Sequence, residues 1–373
     1  MNKKHSFYYR ALRPLLILFC KIGFGYRCER PKNLPPQYIV LANHTTDFDP
    51  IFMASSFKKH MYFVASEHIT HWGFLSKIIM ELAAPIVRYK GSVAASTVMD
   101  VLRKIKKGAN ICIFAEGDRS WDGVSGPILD STSKLIQSSG CGLVTYRLIG
   151  GYFVSPRWSR HLRRGPIRGE VAGVYTKEQL AKMSIVEIQS LIVNDLYEDA
   201  YQTQSITPKK YHGRALAEGL ENLFFICPEC SSHDTLYSKK HHFMCSKCGH
   251  SMQYDQFGML QGGRFETITQ FNNWQKEQVR INIRDNITYH IPEATLSEIS
   301  HHQKTIIANG AFRMDKTGIR HNEHFIPVEE ISNMAIYGKN TLVFSAGKTY
   351  YELKPQKGLN GIKFLLYYHA LQA

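Results

Sequence analysis

No stretch of this chain holds the roughly 20 consecutive apolar residues that a membrane-spanning helix needs. The nearest approach, "ALRPLLILFCKIGFGY", has an unbroken apolar part only from Leu15 to Cys20. It should not cross a bilayer, and with no small-x-small cleavage site behind it, it does not read as a secretory signal. Walker-type phosphate loops and glycine triplets after a strand are missing, which disfavours ATP-driven and dinucleotide chemistry. Internal repeats and low-complexity tracts are missing too. Acidic residues are few: 31 Asp and Glu face 46 Lys and Arg, a formal charge of +15. Such a surplus predicts attraction to a polyanion, whether nucleic acid, an anionic membrane surface or phosphorylated small molecules. With 373 residues, 44% of them hydrophobic, the chain can build two or three domains with real cores.

The basic excess is concentrated at the start. Before residue 40 the cations Lys3, Lys4, Arg10, Arg13, Lys21, Arg27, Arg30 and Lys32 stand against one acid, Glu29. Phe7, Tyr8, Tyr9, Phe19, Phe24 and Tyr26 are interleaved with them. That mixture suits a helix over residues 1–30 lying in the headgroup region of the cytoplasmic face, where anionic lipid attracts the cations. The plainer alternative is an N-terminal helix packed on the body.

Eight cysteines are present, and four are patterned. "CPEC" (Cys227, Cys230) and "CSKCGH" (Cys245, Cys248) form two Cys-x-x-Cys pairs fourteen residues apart. Each pair at a tight turn supplies two thiolates, and four complete a tetrahedral zinc shell. A zinc ribbon over residues 223–256 is therefore expected, with no open coordination position and so a structural role. Cys20, Cys28, Cys112 and Cys141 show no pairing pattern, in keeping with a reducing cytosol.

Between these ends the chain alternates strand and helix. "QYIVLA", "MYFVAS", "APIVRYKG" and "NICIFAEG" read as strands, separated by helical periodicity such as Val98, Val101, Leu102 and Ile105. An α/β layer over residues 31–205, a sheet flanked by helices, follows. Asp49 is expected as the N-cap of the helix that Pro50 opens, so His44 falls where a strand hands over to a helix. Residues 206–222 read as a tether to the ribbon. Residues 257–373 read as an amphipathic helix ("FETITQFNNWQKEQ"), then β-type runs from "AFRMDKTGIRH" onward and a last helix. That order resembles a β-rich, pleckstrin-homology-like barrel.

With 17 histidines, about half of one His-x4-Asp pair is expected by chance, so His44 and Asp49 alone mean little. Their neighbours carry more. "IVRYKG" puts Arg88 and Lys90 at one strand end, and "IFAEGDRS" puts Glu116, Gly117 and Arg119 at another. Loops after strands of an α/β sheet deliver residues to one edge.

In order and spacing, "NHTTDFD", "APIVRYKG" and "FAEGDRS" resemble the first three sequence blocks of the glycerolipid acyltransferase family, which includes the 1-acyl-glycerol-3-phosphate O-acyltransferases. The likeness covers residues 30 to 200. It implies His44 as general base and Asp49 as its orienting partner. Arg88, Glu116, Gly117 and Arg119 would then bind the phosphorylated acceptor. Lys90 joins that substrate-binding set, and it or amides near Asp49 are candidates for the oxyanion. The chain departs from the family at Ala115, where many members have proline, and at Asp118, where many have threonine or serine. A stretch from Arg147 to Arg168, with Trp158, offers a further basic and aromatic surface for phosphates.

The chemistry is consistent. An imidazole can take the hydroxyl proton as the oxygen attacks a thioester, and a carboxylate can fix its tautomer. The implied activity moves an acyl chain from acyl-CoA or acyl carrier protein to a lysophospholipid, most simply 1-acyl-glycerol-3-phosphate, giving phosphatidic acid at an anionic membrane surface. The ribbon and β-rich part could take a protein partner. A reading of a different class makes the protein a zinc-ribbon module that binds nucleic acid or protein at a membrane surface. Nucleic acid is the less expected partner, because a binding module has no need of His44, Asp49, Glu116 and Arg119 in strand-end loops.

Overall fold

Apolar runs alternating with helices build an open sheet in the first part of the chain. The computed structural model describes residues 3–66, 69, 73–88, 94–300, 303–356 and 360–372. The chain divides into two units, Met1–Arg157 with Leu162–Gly213, and Trp158–His161 with Arg214–Ala373.

In the first unit the elements run α1 (Lys3–Phe24), β1 (Arg27–Cys28), β2 (Tyr38–Ala42), α2 (Asp49–Ser56), β3 (Met61–Ser66), α3 (Phe74–Leu82), β4 (Ile86–Arg88), α4 (Ala94–Lys106), β5 (Asn110–Phe114), α5 (Asp130–Ser139), β6 (Gly142–Ile149), α6 (Gly151–Val154), β7 (Arg168–Tyr175), α7 (Lys177–Leu180), α8 (Ile185–Leu196) and α9 (Ala200–Ile206). The strand order is β1-β7-β6-β2-β5-β3-β4. Strands β6, β2, β5, β3 and β4 are parallel, and β7 runs antiparallel to β6. This is the α/β sheet flanked by helices that the alternation implied.

Every residue of β2 is buried, as befits a central parallel strand covered on both faces. Ile39 and Leu41 point into a core with Ile111, Leu143, Val101, Ile105, Ile136, Ile188 and Ile192, supplied by helices α4, α5 and α8. Alternate residues face the other side. There the Tyr38 and Tyr146 rings meet Phe57, while Phe52 of α2 stacks on Tyr26. Helix α1 is fixed to α2 by hydrogen bonds to its last turn. Tyr9 donates to the carbonyls of Ala54 and Phe57, and Arg13 to that of Ser55, covering oxygens that a helix end leaves without partners.

The second unit contains β8 (Leu236–Lys239), β9 (His242–Cys245), β10 (Ser251–Tyr254) and β11 (Leu260–Gln261), an antiparallel ribbon. After α10 (Ile268–Arg284) come β12 (Tyr289–Ser300), β13 (Gln303–Asp315), β14 (Gly318–His321), β15 (His324–Pro327), β16 (Ile331–Tyr337), β17 (Thr341–Ala346), β18 (Thr349–Pro355) and α11 (Ile362–Gln372). These last seven strands form one antiparallel sheet in the order β15-β14-β13-β12-β18-β17-β16, the first strand of the run pairing with the last. Phe364 of α11 meets Phe312 edge-on at 4.8 Å, and Tyr368 donates to the Ile331 carbonyl.

Two expectations give way here. Residues 206–222 are not a solvated tether: Tyr211 packs on Phe153 in the first unit, and Ala215, Leu216, Ala217 and Leu220 are buried in the second. Nor is the stretch from Arg147 to Arg168 an open basic surface. Arg157, Trp158 and Arg163 are buried, Arg160 pairs with Glu221, and both Arg147 and Arg168 pair with Glu170. Acids distant in sequence pair with Arg147, Arg157 and Arg160, which the local run of arginines did not reveal.

Candidate active site

Strands β2 and β5 are parallel neighbours, so the loops leaving Ala42 and Phe114 emerge at the same edge of the sheet. Asn43 secures the first loop to β6. Its amide donates to the Leu148 carbonyl at 2.9 Å, and its carbonyl accepts the Leu148 N–H at 2.7 Å. The next residue is His44. Its ring stacks on Phe114 with centroids 4.5 Å apart, and its Nδ1 lies 2.9 Å from Asp49 Oδ2. Nδ1 is thereby occupied, and Nε2 is the nitrogen left for a substrate hydroxyl.

Asp49 is fully buried. Its Oδ2 also accepts the N–H groups of Thr45 and Thr46 at 2.6 and 2.9 Å, and its Oδ1 the hydroxyls of the same two residues at 3.1 and 2.7 Å. The expected N-cap is therefore displaced. Helix α2 starts at Asp49 with Phe48 in the cap position and no side-chain cap bond, because the carboxylate turns back to satisfy the loop behind it. Gly151 permits this packing: a Cβ there would lie 2.2 Å from Thr45 Oγ1.

Glu116 has both oxygens engaged. Oε1 accepts the His44 N–H at 2.7 Å and Oε2 the Gly126 N–H at 2.5 Å. Burial raises its pKa to about 7, against the downward pull of those two amides. In this position Glu116 ties the His44 loop to the chain at Gly126, and no carboxylate oxygen is left without a donor to meet an acceptor molecule. Gly117 makes the turn that follows β5, with φ +72° and its N–H on the Phe114 carbonyl, a backbone state that favours glycine.

Arg119 reaches back over the His44 loop, its Nε 3.3 Å from Asp47 Oδ1. Asp118 pairs with Arg157, whose guanidinium is buried, donates to the Arg119 carbonyl at 3.3 Å and lies 4.3 Å over the Trp121 ring. Arg88 ends β4 at the same sheet edge and is exposed. In the order β2-β5-β3-β4 it stands three strands from His44, about 14 Å at the usual strand spacing. Lys90 lies outside the described residues. A small cavity beside His44 is lined by Asn43, Thr45, Glu116, Ser120, Tyr152 and Glu198. Asp47, Arg157 and the two threonines were not singled out from sequence. The threonines stand in "NHTTDFD" itself, whereas nothing local marks Arg157 as a partner of Asp118.

In the second unit the sulfurs of Cys227, Cys230, Cys245 and Cys248 lie within 4.8 Å of one another. The Cys227–Cys248 and Cys230–Cys245 separations are both 3.8 Å. Metal–sulfur bonds of about 2.3 Å in a tetrahedron give edges of about 3.8 Å, so the donor set fits such an ion. Hydroxyls of Ser232 and Thr235 approach Cys230 and Cys245 at 2.9 and 3.3 Å.

The α/β sheet thus presents an imidazole paired with a buried carboxylate at its carboxyl edge, with a guanidinium over the same loop. Residues 25–148 match the family model described as Acyltransferase. Among solved structures, the one titled "Crystal Structure of the 1-acyl-sn-glycerophosphate (LPA) acyltransferase, PlsC, from Thermotoga maritima" aligns with 56% of this chain and 85% of its own, at 16% identity and a TM-score of 0.45. No curated protein matches.

Proposed function

We propose that the first unit transfers a fatty acyl chain from acyl-CoA or acyl carrier protein to the free hydroxyl of 1-acyl-glycerol-3-phosphate, forming phosphatidic acid. The observation that carries this reading is the 2.9 Å contact between His44 Nδ1 and Asp49, made within reach of the cation Arg119. Nε2 of His44 removes the hydroxyl proton as the oxygen bonds to the thioester carbonyl carbon. The tetrahedral adduct then expels the thiolate, which recovers the proton from the imidazolium, so ester and thiol leave a neutral base. Asp49 fixes the tautomer and stabilises the transient cation, and Arg119 holds the phosphate of the acceptor.

The N-terminal helix supports a membrane surface as the place of work. Among the described residues no helix is long and apolar enough to cross a bilayer. Helix α1 nevertheless exposes Phe7, Leu15, Leu18, Phe19 and Ile22, the last 76% exposed, and α3 exposes Phe74. Residues 15, 18, 19 and 22 share one helical face. At the other side of α1, Phe24 touches Phe48 with ring centroids 4.6 Å apart, linking the apolar face to the His44 loop. We place that face in the headgroup layer, with the cations beside it on anionic lipid. In the second unit we assign zinc to the four thiolates as a structural ion.

The reading is tested by offering radiolabelled acyl-CoA and acyl carrier protein in turn, with lysophosphatidate or monoacylglycerol as acceptor in vesicles. Product from lysophosphatidate well above that from monoacylglycerol supports it. No product from either acceptor removes it.

A further inference from the structure

The acid inside the His44 loop takes no part in the base pair. Asp47 is 69% exposed, and it pairs with Nε of Arg119, whose side chain is only 13% exposed. The main chain of Arg119 is fixed from behind. Its carbonyl accepts from Arg157 at 3.3 Å and its N–H donates to Asp118 at 3.0 Å, while Arg157 itself is held by Asp118 and the Trp121 ring. The anion is loose by comparison, facing water through one long contact of a kind that contributes little. An enclosed guanidinium requires a counter-ion, and its forked face binds two oxygens of a phosphate better than one carboxylate oxygen. An enclosed cation thus meets an exchangeable anion at the loop that carries the base.

We propose that Asp47 is a specificity-determining placeholder, which occupies Arg119 until a phosphate monoester on the acceptor displaces it. A neutral acceptor leaves the Asp47–Arg119 pair closed. An acceptor whose phosphate lies a short carbon link from its hydroxyl opens the pair and sets that hydroxyl toward His44. The role of the hydroxyl rests on the acyl-transfer reading, but the ion exchange is a binding event and is measured without turnover.

The experiment titrates sn-glycerol 3-phosphate into full-length wild type, Asp47→Asn, Arg119→Ala and the double variant by calorimetry, with folding checked by circular dichroism. Asp47→Asn should bind about threefold more tightly than wild type, the size expected for removing one exposed competing charge. Arg119→Ala should lose about tenfold or more, and the double variant should match Arg119→Ala. Unchanged or weaker binding by Asp47→Asn overturns the proposal. So does an equal gain from Asp47→Asn in the Arg119→Ala background, or the absence of binding to wild type. If binding follows the expected pattern while lysophosphatidate yields no acyl product, the placeholder stands and the acyl-transfer reading falls.

Discussion

Asp49 Oδ2 accepts from the Thr45 and Thr46 amides at 2.6 and 2.9 Å while lying 2.9 Å from His44 Nδ1, so the carboxylate that holds the imidazole also shapes the loop carrying it. Asp49→Asn should show both consequences. With its NH2 at the Oδ2 position the new amide opposes the Thr45 and Thr46 N–H groups, and turned the other way it requires both threonine hydroxyls to reverse, costing about 1–3 kcal/mol of stability. Turnover should fall by about two to four orders of magnitude as the imidazole loses its orienting charge. Thermal unfolding and initial rates read the two effects separately, and a variant with full turnover would deny Asp49 an orienting role.

The burial of Glu116 leads to a pH effect on stability. Its pKa is raised from 4.5 to about 7 in the folded protein, so the native state holds a proton that the unfolded chain releases. The stabilisation is fully present below pH 4.5 and is lost as pH rises through 7. Wild type should lose about 3 kcal/mol relative to Glu116→Gln between those limits. Urea unfolding of both proteins at pH 5 and pH 8 checks the sign, and a constant difference would contradict it.

Asp118 and Arg157 should differ in what their removal costs. Asp118→Ala takes the paired carboxylate from a buried guanidinium, a loss of about 3 kcal/mol. Arg157→Met leaves Asp118, whose side chain is half exposed, free to turn to water and should cost less. Chemical denaturation of the pair gives the order, and the reverse order would mean that Arg157 is not held by Asp118.

Metal analysis of the purified protein should find one zinc per chain, and chelation should melt residues 223–256. The loss should extend to α11. Asp234, between the two cysteine pairs, holds the buried ammonium of Lys363 at 2.7 Å, and removing one member of such a pair is costly. Amide exchange before and after chelation locates the change. Full protection of the ribbon without metal would refute the assignment.

Local pattern and long-range pairing were unequally legible in the sequence. Parallel strands buried on both faces read as short apolar runs, so β2, β3 and β5 stood out, and four cysteines in two pairs announced their own cluster. The run from Tyr289 to Gly310 was passed over, although it forms β12 and much of β13. Pro292 sits there beside a register shift, and half of the side chains face water, which erases the apolar signal. At the site, His44 and Asp49 were recognisable through the resemblance carried by three sequence blocks together, not through their spacing alone. The bracing by Glu116 and the Asp118–Arg157 pair were not, because each depends on a partner brought close only by the fold. The same cause hid the pairing of Arg147 with Glu170.

The central claim is that His44 is the base of an acyl transfer. Its most direct test is the transfer of labelled acyl chain from acyl-CoA, and in parallel from acyl carrier protein, to lysophosphatidate, by wild type and by folded His44→Ala side by side. Phosphatidic acid is expected from wild type, with a loss of about two to four orders of magnitude in the variant. Equal product from both proteins, or none from wild type with either donor, would contradict it.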